Sequence, residues 1–375
     1  MHAVASGGRP SKLRSIQLLR AAAAIAVVFT HSITRIGYTF PQGRAHSLLD
    51  GPSGQVLAGD AGVDVFFVIS GFIMYYVHHE DFGVAGSPVQ FLKKRILRIV
   101  PIYWLLTAVA IAITEALPNL AVTHDSKITF SWIASSYLFL PIAWRDSISP
   151  IIGVGWTLDY EMLFYLVFAC SMFLPLRKGL SLVVIFFVIA VVAGAVVAPS
   201  APTARFFSDW LLLDFIMGVG IAWWALSRHA IGNNFRTCLV VSGLVGLATS
   251  LIWTPPEHGP LRFLLWGIPA SLLVAGLCAA HIGSNKIFQL GEKLGDASYS
   301  IYLFQFFALP ATAIFMRHAG FGALPFDVNV LILTGLVTLA GVACWWGVER
   351  PLGRWLRKLD FFAPAVSRSS AVRLP

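Results

Sequence analysis

The chain has 375 residues, of which 57% are hydrophobic and only 12% charged, and its formal net charge is +9. Soluble globular domains carry about 25% charged residues, so this balance excludes a soluble domain and points to an all-α polytopic membrane protein. The cysteines Cys170, Cys238, Cys278 and Cys344 lie in apolar stretches without metal-ligand spacing, which reads as packing and leaves neither disulfides nor a metal site to expect.

A helix that crosses a bilayer needs about 20 apolar residues. In chain order, spans are predicted at 16–34, 60–79, 99–117, 156–176, 180–198, 209–227, 237–253, 263–283, 299–317 and 328–348. The first is preceded by Lys12 and Arg14, as a signal peptide would be, but Arg20 interrupts its apolar run and many similar segments follow. Residues 128–143 are short, aromatic and broken by Pro141, which predicts an interfacial or re-entrant piece. The domain division is a tail over 1–14, one membrane unit over 15–350 and a basic tail over 351–375.

Sidedness follows from the basic residues. With the N-terminus in the cytoplasm, nineteen of the 27 lysines and arginines fall on the cytoplasmic side and seven opposite, with Arg20 inside the bilayer. The positive-inside bias thus predicts ten spans with both termini cytoplasmic, and it accounts for the basic charge without nucleic acid.

Ionisable groups within spans are site candidates by default, because burying them singly in lipid is costly. His31 is predicted about 22 Å from the cytoplasmic end of the first span, Asp64 about 6 Å below the outer boundary and Glu161 about 7–8 Å below it. Three helices thus bring an imidazole and two carboxylates to similar depth, and a shared polar cavity is expected. There His31 is a candidate general base, oriented by Asp64 or Glu161, with Asp159 a weaker choice. Arg95 and Arg98 share a helix face beside Lys93 and Lys94, which suits either topogenic charge or a clamp for a polyanion. Gly62 and Gly71 permit close helix approach, while Ser70 is placed halfway down its span. Tyr299 and Tyr302 fit interfacial aromatics, Gln305 needs a partner, and Glu349 suits an ion pair at a helix stop.

Five pieces in this order resemble the membrane acyltransferase-3 family, in particular its ExoZ-like branch of exopolysaccharide acetyltransferases. They are Ile16-Gln-Leu-Leu-Arg20 with His31, the run Gly62–Phe72, the run Lys94–Pro101, Gly155–Tyr165 and Ser298–Leu303. The resemblance implies O-acylation of a sugar hydroxyl by cytoplasmic acyl-CoA, with acetyl-CoA favoured as donor substrate and no permanently bound cofactor. It implies His31 as the essential histidine and Arg20, Arg95 and Arg98 as the family's arginines. Asp64, Glu161 and Tyr165 fall on site-lining positions. Members often carry a histidine where Phe304-Gln305 stands here, so Gln305 is given no acid–base role.

The expected enzyme is a multi-pass O-acyltransferase of the cytoplasmic membrane. Acyl-CoA phosphates rest on Arg95, Arg98 and Lys94. Arg20, Ser70, Tyr165, Tyr299 and Tyr302 line the substrate path. His31 acts as general base or as transient acyl carrier. The partners are acyl-CoA, membrane lipids and a carbohydrate, free or lipid-linked. The rival class is a proton-coupled transporter or flippase for a lipid-linked saccharide, with His31, Asp64 and Glu161 as its relay.

Overall fold

The computed structural model describes residues 14–41, 47, 49, 59–116, 128–144, 147–227, 232–249, 255–278 and 285–358. Arg9, Lys12, Arg44, Lys127, Arg145, Arg228, Arg368 and Arg373, all used above for sidedness, lie outside the described residues. So do most of the two tails and the ends of the spans expected at 237–253 and 263–283.

The chain is a helical bundle. Its helices are α1 (Arg14–Thr39), α2 (Ala61–His78), α3 (Ser87–Ala116), α4 (Phe130–Leu138), α5 (Trp156–Ser171), α6 (Leu176–Val197), α7 (Pro202–Phe206), α8 (Leu212–Leu226), α9 (Asn233–Ala248), α10 (Pro260–Arg262), α11 (Ile268–Leu277), α12 (Lys286–His318), α13 (Phe326–Cys344) and α14 (Arg350–Lys358). A π-turn at Phe263–Gly267 joins α10 to α11, and another at Trp345–Glu349 joins α13 to α14. Every expected span coincides with a helix. With α10–α11 and α13–α14 each taken as continuous through its π-turn, seven helices among the described residues are long and apolar enough to cross a membrane. Three others, α5, α8 and α9, have only 15 or 16 residues.

The stretch expected at the interface forms α4, nine residues capped by the Thr129 hydroxyl and ended by Phe139 in the left-handed conformation. At 1.5 Å per residue it is about 13 Å long, too short to span. It docks on α3 through a hydrogen bond from Trp104 Nε1 to Tyr137 O. A two-residue antiparallel pair, Ala143–Trp144 with Ser147–Ile148, follows it.

Glycines set the closest helix contacts. A Cβ on Gly71 would fall 2.0 Å from Phe215 O, and one on Gly218 would fall 2.0 Å from Val68 O. Each helix thus presents its glycine to the other's backbone, locking α2 against α8 at a distance only small residues allow. Gly62 brings α2 against Ala23 and Val27 of α1 in the same way. Ala110, Val183, Phe187 and Ala222 show how far the apolar core reaches, whereas Ile185, Ile189, Val192 and Leu339 present apolar side chains outward, as a lipid-facing surface does.

Candidate active site

Helices α1, α2, α3, α5 and α12 surround a cavity of about 100 Å³. Its lining on α2 runs from Val63 to Met74, eleven steps or about 16 Å of helix. Polarity changes along that length. Arg20, Arg95, Arg98, Glu161, Tyr165 and Ser298 line one end. Val63, Phe66, Phe67 and Leu158 line the other, with the hydroxyls of Thr157 and Tyr302 beside them. Arg98 is exposed while also lining the cavity, so it marks the mouth.

The polar end is held by its own hydrogen bonds. Arg20 donates from NH2 to Ser298 Oγ at 3.0 Å and from NH1 to Gln17 Oε1 at 3.4 Å. Glu161 accepts from Ser70 Oγ at 3.2 Å and from the Tyr165 hydroxyl. Arg95 lies against the rings of Phe91 and Tyr165, 5.7 and 5.9 Å from their centroids. Its Nε is enclosed and meets no acceptor. Tyr299 donates to Ile99 O at 2.9 Å, bracing α12 on α3. Tyr302 donates to Val154 O at 2.9 Å and pairs with Thr157 Oγ at 3.0 Å.

Three guanidiniums and one carboxylate, Glu161, line the cavity, with Asp296 and Glu349 outside the lining but within electrostatic reach of Arg20. Positive charge is expensive to hold in a low-dielectric interior without a counter-charge. An orphaned buried N–H adds to that imbalance. The arrangement suits an anion entering at Arg98, with an uncharged portion continuing into the apolar end. Guanidinium matches phosphate oxygens through paired donors.

The expected trio of His31, Asp64 and Glu161 does not assemble. Eleven residues is about three helical turns, so His31 shares a stripe of α1 with Arg20 but lies about 16 Å further along. Its Nδ1 folds back to Val27 O at 2.9 Å, and among the described residues no carboxylate reaches it. The imidazole stands beyond the apolar end of the cavity rather than in its lining. Asp64 is on another face of α2 and is claimed by Arg262, at 2.7 Å from NH2 and 3.3 Å from Nε. Lys94 is exposed and does not line the cavity. Arg20, Ser70, Arg95, Arg98, Glu161, Tyr165, Tyr299 and Tyr302 all line this cavity.

Arg262 belongs to a second buried cluster. It donates to Glu257 O at 3.0 Å and lies 4.7 Å from the centre of the Trp266 ring. Asp214 is fully buried close by, and a Cβ on Gly267 would fall 2.3 Å from its Oδ1. At the rim, His258 Nδ1 and Asp209 Oδ2 are 2.5 Å apart. That hydrogen bond raises the His258 imidazole above its ordinary range, against a smaller opposing effect of burial. Sequence reasoning counted Arg262 only among the seven basic residues opposite the cytoplasm and did not name Asp214. Applying the rule for ionisable groups in spans to Asp214 would have flagged this cluster.

A family model described as an acyltransferase domain, Acyl_transf_3, matches residues 13–350. The chain belongs to this acyltransferase family. It is 37% identical over 309 residues to the exopolysaccharide production protein ExoZ of Rhizobium meliloti (strain 1021), covering 79% of this chain and 90% of that protein. It is 24% identical over 323 residues to the peptidoglycan O-acetyltransferase OatA of Listeria monocytogenes serovar 1/2a (strain ATCC BAA-679 / EGD-e), covering 78% of this chain. The match spans about half of that second protein, 48% of its length. No solved structure matches the chain. The family membership and the long apolar helices make the protein a multi-pass membrane acyltransferase.

Proposed function

We propose that this acyltransferase moves an acetyl group from acetyl-CoA to a hydroxyl of an exported polysaccharide. The observation that carries the reading is the cavity's gradient, from three arginines, with Arg98 at the mouth, to an apolar end. A CoA ester has the matching shape, with phosphates at one end and an uncharged thioester at the other. Likeness to an exopolysaccharide production protein and to a peptidoglycan O-acetyltransferase favours a saccharide acceptor. Lysines and arginines biased to one side favour a cytoplasmic mouth, a cytoplasmic donor and residence in the cytoplasmic membrane.

In this reading Arg95 and Arg98 bind the donor phosphates, and Arg20 is steadied by Ser298 at the same end. The acceptor hydroxyl approaches from the His31 side. His31 takes its proton as the hydroxyl oxygen bonds to the thioester carbonyl carbon. The C–S bond then breaks, and the proton returns to the departing thiolate, giving an O-acetyl ester and free CoA thiol. Placing such a base contributes about 10²–10⁴-fold. An acetyl-histidine formed first gives the same balance in two steps.

The experiment supplies labelled acetyl-CoA to membranes containing the protein and follows free thiol and polysaccharide O-acetyl esters. Release of both, lost with His31→Ala, is the expected result. Normal turnover by that variant removes His31 from the chemistry. Absence of any acyl-CoA consumption by the unaltered protein, with acceptor present, overturns the donor assignment.

A further inference from the structure

The short helix α14 starts beside the mouth of the cavity. Pro351 has no N–H to offer Gly347 O, and the helix widens into the π-turn Trp345–Glu349 just ahead of it. That turn places Glu349 where it accepts from Ser300 Oγ, one residue beyond the cavity-lining Tyr299. Glu349 is within electrostatic reach of Arg98 and Arg20. From there α14 runs on over Arg350–Lys358, nine residues or about 13 Å, and packs against α3.

The faces of α14 differ. Leu352 and Leu356, four apart, are half-buried, while Arg354, Arg357 and Lys358 are exposed. Arg350, Arg354 and Arg357 follow the spacing of one helical stripe. Arg350 lies 5.7 Å from the centre of the Trp345 ring. Among the described residues, no carboxylate pairs with Arg354, Arg357 or Lys358. On α3, Lys94 is exposed one turn before Arg98 and outside the cavity lining.

We propose that the basic face of α14, with Lys94 and Arg98, holds the adenosine and ribose-phosphate end of acyl-CoA outside the cavity. The inference rests on the donor reading above and assigns a second part of the same ligand. CoA joins a slender pantetheine arm to a nucleotide through a diphosphate, and its ribose carries a further phosphate. Sites for drug-sized molecules occupy about 300–1,000 Å³, so the nucleotide does not follow the arm into a cavity of about 100 Å³. Arg95 and Arg98 meet the diphosphate at the mouth, and the ribose phosphate falls to the next cations outward. Guanidinium suits phosphate oxygens through paired donors. A basic amphipathic helix at a membrane edge also suits an anionic lipid. The nucleotide is favoured because α14 begins at Glu349, beside the arginine that marks the mouth.

The test measures equilibrium binding of CoA and of phosphopantetheine, which lacks the nucleotide. It uses the full chain in phosphatidylcholine nanodiscs, unaltered and as Arg354→Gln/Arg357→Gln. The unaltered protein should bind CoA at least about tenfold more tightly than phosphopantetheine. The double variant should narrow that ratio at least about fivefold and leave phosphopantetheine binding unchanged. A ratio is read because damage to the cavity weakens both ligands together. Where the double variant does not fold, Arg357→Gln alone carries the same expectation. An unchanged ratio in a folded variant overturns the proposal and leaves the donor reading intact. An unchanged ratio with weaker association to phosphatidylglycerol overturns it too, and assigns the helix to anionic lipid. Failure of the unaltered protein to bind either ligand overturns both readings.

Discussion

Arg95 and Arg262 are both arginines drawn into the same bundle, yet their surroundings are opposites. Arg262 is 3% exposed and its donors are taken up by Asp64 and the Glu257 carbonyl, with Trp266 beneath its plane. Arg95 lines an open cavity beside two further arginines, and its Nε meets no acceptor. A paired, closed guanidinium serves to position helices. An under-paired one at the wall of a cavity awaits an anion. The contrast teaches that intramembrane charge marks function only when its partners are insufficient.

The largest expected effect comes from breaking the satisfied pair. Arg262→Ala leaves Asp64 buried without its counter-charge and should destabilise the protein by about 3–5 kcal/mol. Thermal unfolding in detergent reads this loss, and Asp64→Leu/Arg262→Met should be much milder because no lone charge remains. A second variant probes the other side of the comparison. Arg95→Ala should raise the acetyl-CoA KM at least tenfold, about 1.4 kcal/mol, with a melting temperature close to that of the unaltered protein. Smaller, and opposite in sign, is Glu161→Gln. It removes the cavity's one carboxylate and should tighten CoA binding by about two- to tenfold at low salt, measured by calorimetric titration.

The smallest effect lies at the rim of the closed cluster. Asp209 raises His258 above its ordinary value of 6.5. A raised histidine stabilises fully below its unfolded value and loses that contribution as pH rises through the folded value. His258 is 50% exposed, so solvent screening keeps the effect within about 1 kcal/mol. Melting curves of His258→Gln should therefore fall below the unaltered protein at pH 5.5 and converge with it at pH 8.5.

Much of this was legible from residues alone, and the exceptions share a cause. Each expected span has a helix because apolar length is a local property. Arg20, Arg95, Arg98 and Glu161 were recognisable as intramembrane or clustered charge, and they do meet. Asp64 was assigned to the wrong neighbours because its partner stands 198 positions away in sequence. Similar depth placed it with Glu161, but depth does not fix the direction a side chain takes around its helix. Val63 lines the cavity while the next residue turns toward α10. That the cavity ends short of His31 could not be read from spacing. Nor could the stacking of Phe215 between Phe67 and Phe164, at 4.7 and 4.4 Å, since all three resemble ordinary core residues in the sequence.

If the under-paired arginines hold the donor's phosphates, they set the protein's affinity for CoA. Equilibrium binding of CoA to the purified protein tests it without any acceptor, comparing the unaltered chain with Arg95→Ala/Arg98→Ala. Affinity weakened at least tenfold in the double variant is the expected result, with thermal stability preserved and weaker binding at high salt. Equal affinity in a folded double variant would contradict it.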